Sequence, residues 1–66
     1  MNREKISATL RALRGDRTRE EVAIACSVTA NAISMYETGA RVPSDEIKIR
    51  LAKFFGKTVQ EIFYEP

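Results

Sequence analysis

Histidine and tryptophan are absent from the 66 residues, and cysteine occurs once. A lone cysteine has no partner for an internal disulfide, and without histidine a zinc site has no plausible ligand set. No paired carboxylates stand in a recognisable setting, and three glycines form no phosphate-cradling loop. A chain this short is also expected to leave no room for a substrate pocket. The expectation is therefore no enzyme, no metal and no cofactor. No run approaches the roughly 18 apolar residues of a membrane span. Residues 1–7, MNREKIS, lack the long apolar core of a signal peptide, so a cytoplasmic protein is expected. Internal repeats, low-complexity stretches and strand-like alternation are missing too.

What is present fits an ordinary folded domain: 44% hydrophobic and 30% charged residues. At this length one domain, residues 1–66, is expected, burying roughly 60% of its unfolded surface. Net charge is only +2, but it is unevenly placed. Residues 1–41 hold seven basic and five acidic side chains, and residues 42–66 hold four of each. The whole excess lies in the first part, and a local basic face can bind phosphates while the chain stays near neutral.

Apolar spacing and capping residues predict five short helices. Asn2 caps a helix over about 3–14, with Ile6, Leu10 and Leu13 on one face and Gly15 as the stop. Thr18 opens a second helix over 19–26, with Glu21 at the capping-box position. Cys26-Ser27-Val28-Thr29 breaks the helical period, and Thr29 caps a third helix over 30–38 that Gly39 ends. Pro43 biases Val42 away from helix, and Ser44 caps a fourth helix to Phe55 that buries Ile47, Leu51 and Phe54. Thr58 and Glu61 form another capping box, opening a last short helix with Val59, Ile62 and Phe63 apolar; 64–66 reads as a frayed tail. In the stretch 19–38 two helices meet across a tight turn. Val22, Cys26, Val28, Ile33 and Tyr36 face inward, and the small Ala23 sits where the helices approach most closely.

This stretch resembles the helix-turn-helix of the phage-repressor family, also called XRE or Cro-type. Val22-Ala23, Val28-Thr29, Ile33-Ser34, Tyr36-Glu37, Gly39 and Arg41-Val42-Pro43-Ser44 carry the resemblance, which runs from about Ile6 to Phe63. It implies an all-α, compact, five-helix lambda-repressor-like domain with the helix-turn-helix at about 19–38. The connector Gly15-Asp16-Arg17 is about two residues shorter than is usual in the family. Helix 1 is therefore expected to end early or to meet helix 2 at a tighter angle.

In such a motif the second helix enters the major groove. The outward residues Ala30, Asn31, Ser34 and Met35 are then the base readers, and Asn31 leads because an amide pairs with adenine N6 and N7 together. Phosphate contacts are expected from Arg17, Thr18, Arg19, Thr29, Thr38 and Arg41. Family members often carry glutamine where this chain has Arg19, and a basic residue where it has Ala40. Glu37 resembles the family glutamate that pairs with an arginine of helix 1, with Arg14 as first choice and Arg11 as second. Cys26 reads as a small buried hydrophobe. Phe55, Phe63 and Tyr64 are dimer candidates.

Two functions compete. One is a sequence-specific regulator of transcription, a repressor binding a palindromic operator in double-stranded DNA as a homodimer, of bacterial or phage origin. The other is a protein-interaction module or antitoxin with a regulatory protein partner, which predicts an acidic or apolar helix 3 face.

Overall fold

The computed structural model describes residues 2–65, and every regular element among them is helical. In order these are α1 (Arg3–Arg14), α2 (Arg19–Cys26), α3 (Ala30–Thr38), α4 (Asp45–Phe55) and a π-helical turn (Gln60–Tyr64). No helix is long and apolar enough to cross a membrane. Each α-helix starts at the expected cap. The side chains of Asn2, Thr18, Thr29 and Ser44 accept from the amides of Lys5, Glu21, Ala32 and Ile47. These bonds satisfy amides that the first turn of a helix leaves without partners.

The break between α2 and α3 is a left-handed residue, Ser27, at φ 57°. It lets the Val28 amide reach back to the Ala23 carbonyl at 3.0 Å, which closes α2 and redirects the chain. Glycine takes the corresponding role after α3 and α4, at Gly39 and Gly56.

One core joins all five elements: Ile6 and Leu10 from α1, Val22, Ala23 and Cys26 from α2, Ile33 and Tyr36 from α3, Leu51 and Ala52 from α4, and Ile62 and Phe63 from the last turn. Packing of this apolar set, not propensity alone, holds such short helices. The α4 face is rotated from expectation. Lys48, Leu51 and Ala52 are buried, whereas Ile47 and Phe54 are only half-buried. The last helix is a π turn, and adjacent Ile62 and Phe63 are both buried in it. Of the expected tail, Tyr64 and Glu65 are exposed and Pro66 lies outside the described residues.

Helix α1 does not end early despite the short connector. Gly15 takes φ 56° and ψ −125°, a conformation open to glycine, and Arg14 Nη1 donates to the Arg17 carbonyl at 2.9 Å across the turn. The core holds a void of only about 10 Å³, too small for a ligand. The expectation of no pocket at all needs correcting. An open groove of about 410 Å³ runs between α1 and the last turn, past Ala12, Leu13, Lys57, Glu61 and Ile62.

Candidate nucleic-acid interface

Helix α3 has two distinct sides. Ile33, Tyr36 and Glu37 are buried against the other helices, and Asn31 and Thr38 are exposed on the opposite side. Ser34 and Met35 are half-buried at its edge. Ala30 departs from expectation: half-buried, it packs on the core, so less of its methyl is open than an outward position implies. With its side chains an α-helix is about 10–12 Å across, which suits a major groove about 12 Å wide. Among the described residues the Asn31 amide meets only a soft intrahelical acceptor, the Met35 sulfur at 3.7 Å, which leaves its carbonyl and a second N–H uncommitted there.

The flanking donors differ in what they have left to give. Thr18 and Thr29 are exposed, and each hydroxyl accepts a capping amide, which leaves its own proton free. Thr38 spends its proton on the Met35 carbonyl at 3.2 Å. Arg41 is exposed, and its backbone amide donates to the same Met35 carbonyl at 3.3 Å, which seats it at the end of α3. Arg17 is exposed beside Thr18 and has contacts of its own. Its Nη1 donates to the Leu13 carbonyl and its guanidinium lies 5.3 Å from the centre of the Phe54 ring, so it is engaged with α1 and α4.

Behind α3, Glu37 is 2% exposed and binds more than the expected arginine. Arg14 clamps it with two bonds, Nε to Oε2 at 2.7 Å and Nη2 to Oε1 at 3.1 Å. Arg19 Nε adds a third, to Oε1 at 3.2 Å. Arg11 bonds the Glu37 backbone carbonyl instead of the carboxylate. Hydrogen bonding to Glu37 raises the Arg14 pKa further above its ordinary value, so this guanidinium is always charged. Arg19, read from sequence as a plain phosphate contact, is thus partly held inside the chain. Its family-level signal was only that arginine replaces the usual glutamine.

Three further side chains went unread in the sequence. Lys48 is buried and donates to the Tyr64 hydroxyl at 2.9 Å. Arg50 joins α4 to the end of α2 through the Cys26 carbonyl at 3.3 Å. Ile24 on α2 is 80% exposed. Cys26 itself is buried, and that burial pushes its thiol pKa up, against the opposing effect of Arg50, as suits a packing residue. Among the dimer candidates, Phe63 is a correction: it is 2% exposed and belongs to the core, because the π turn points it inward beside Ile62. Phe55 is half-buried and stacks edge-on against Phe54 with ring centres 5.1 Å apart, and Tyr64 is exposed.

Two helices crossing at a left-handed turn, the second with one side in the core and the other open, define a helix-turn-helix domain. A family model described as a helix-turn-helix domain matches residues 5–62, and the chain belongs to that family. The resemblance to phage-repressor-like regulators holds. Among solved structures the chain is similar to the crystal structure of the clp gene regulator ClgR from Corynebacterium glutamicum. The two share 31% identity, with a TM-score of 0.81 over 91% of this chain. The match spans 66% of the ClgR chain, just short of two thirds of its length. No curated protein matches significantly.

Proposed function

We propose that this protein is a DNA-binding regulator of transcription that reads its site by placing α3 in the major groove. The observation that carries the reading is Asn31, exposed with a free carbonyl and N–H on the one side of α3 that is not packed. Thr18, Thr29 and Arg41 border it with donors suited to phosphate. The likeness to the clp gene regulator ClgR supports a role in transcription. An interaction module calls for an acidic or apolar face, and Ala30-Asn31-Ser34-Met35 is not acidic and carries a polar amide and hydroxyl at its centre.

In the finer form of this reading the protein is a repressor. It binds a palindromic operator as a homodimer and blocks polymerase by occupancy, with half-sites about one helical turn apart. Tyr64 and the half-buried Phe55 remain the dimer candidates. Sedimentation with and without operator tests the dimer, and a strict monomer in both removes it.

The test of DNA reading is selection of bound duplex from a random pool, followed by Asn31→Ala. An enriched motif is expected, and the variant should lose about 1–3 kcal/mol of discrimination at one base pair while keeping the rest. A pool with no enriched sequence overturns the reading.

A further inference from the structure

Glu37 is more than half of an ion pair. One carboxylate, 2% exposed, is shared by a guanidinium from the last turn of α1 and another from the first residue of α2. The set carries one net positive charge. Arg14, 20% exposed, spends Nε and Nη2 on the carboxylate and Nη1 on the Arg17 carbonyl. Arg19 is different. Its side chain is 43% exposed, it gives Glu37 only Nε, and its Nη hydrogens have no partner among the described residues.

We propose that Glu37 is a positioning residue for DNA recognition. It fixes Arg19 to the last turn of α3, so that the Nη groups grip a phosphate only in the register in which Asn31 meets its base. This rests on the DNA-reading function above. The fork geometry of arginine allows this: one edge of the planar group is held by the carboxylate while the other stays free to donate. Lysine carries its three donors on one nitrogen, so it makes a point contact and cannot hold Glu37 along one edge while presenting a separate, oriented edge to a phosphate. A phosphate contact tied to the reading helix converts a sequence-independent attraction into one that depends on register. Removing Glu37 adds a positive charge, so attraction to any duplex should hold or rise while discrimination falls. A merely structural role would lower both together.

The test uses the full chain and its Arg19→Lys, Arg19→Gln and Glu37→Gln variants. Affinity is measured by fluorescence anisotropy for the selected duplex and for a scrambled duplex of the same length, at several salt concentrations. Arg19→Lys should cut the ratio of selected to scrambled affinity about tenfold, with scrambled affinity changed less than about twofold and the salt slope kept. Arg19→Gln should lower the ratio as well and flatten the slope by about one unit. Glu37→Gln should lower the ratio and leave scrambled affinity equal or higher. An Arg19→Lys ratio within about twofold of the parent overturns the proposal, since Arg19 is then a free phosphate charge. If Glu37→Gln fails to fold, the two Arg19 variants still decide, because that side chain is 43% exposed and gives Glu37 a single bond. A pool that enriches no motif instead sinks the DNA reading itself, an outcome distinct from an enriched motif that Arg19→Lys reads equally well.

Discussion

Among the described residues two charged side chains are buried, and their surroundings differ. Glu37 sits between α1, α2 and α3, with its partners Arg14 and Arg19 at 23 and 18 residues' separation. Lys48 sits between α4 and the last turn. Its ammonium donates to the Tyr64 hydroxyl, lies 3.6 Å from the exposed carboxylate of Asp45, and faces the rings of Phe63 and Tyr64 at 5.7 and 5.0 Å. The first centre is a carboxylate ringed by cations from other helices. The second is a cation met by one neutral hydroxyl, two aromatic faces and a neighbour on its own helix. The first ties α3 to α1 and α2. The second covers an apolar seam with a lysine stem and closes the C-terminal turn. Removing the buried group therefore has unequal consequences, because only at the first centre does it leave like charges facing one another.

The largest effect is expected from Glu37→Ala. It leaves Arg14 and Arg19 converging on an empty site, and urea unfolding should show a loss of about 2–4 kcal/mol. This is below the range for a fully enclosed pair, because both guanidiniums can turn partly to water. Lys48→Met is the matched variant at the other centre. It removes a buried ammonium and strands no buried charge, since Asp45 and Tyr64 are both exposed. Stability should stay within about 1 kcal/mol of the parent, in either direction. Equal losses at the two positions would break the comparison.

The legibility of the sequence follows the same divide. All four cap residues of the α-helices and the inward set Val22, Cys26, Ile33 and Tyr36 could be read because each depends on neighbours three or four positions away. Arg14 with Glu37 came only through family resemblance. Arg19 on the same carboxylate was not readable, since it depends on how α2 crosses α3 after a shortened connector. Lys48 left a signal that charge overrode: it stands three and four positions before Leu51 and Ala52, on their face. Phe63, a dimer candidate on sequence, lies in the core. The π turn, which no local spacing announces, puts it inside. Within the reading surface, Asn31 was legible from period alone, and the packing of Ala30 on the core was not.

A smaller effect separates the turn between α2 and α3 from those after α3 and α4. Ser27 holds a left-handed conformation that costs a side-chain-bearing residue, whereas glycine fills the other two positions. Ser27 is exposed. Ser27→Gly should therefore raise stability by about 0.5–1 kcal/mol, seen as a higher thermal midpoint with unchanged DNA discrimination. A loss would mean that the serine hydroxyl has a role at the turn beyond its backbone.

The smallest effect is on the C-terminal side and depends on pH. Thr58 and Glu61 form a reciprocal box: the Thr58 amide donates to Oε1 of Glu61 at 2.9 Å, and the Glu61 amide donates to the Thr58 hydroxyl oxygen at 3.0 Å. The Thr58 amide above all, then its hydroxyl, hold the Glu61 carboxyl below its ordinary pKa; burial opposes them, and the charge of Lys57 lowers it by the smallest share. The unfolded chain therefore binds this proton at a higher pH than the folded one. The contribution is fully present above the ordinary carboxylate range and is lost as pH falls through the lowered value. Amide exchange at Glu61 and Ile62 should accelerate in that acid window before exchange in the first turn of α3, whose cap at Thr29 carries no carboxylate. Glu61→Gln keeps an acceptor for the Thr58 amide but removes the titrating charge, so its exchange should be flat across the same window. Parallel acceleration in the parent and in Glu61→Gln would assign the acid response to another carboxylate and detach it from this cap.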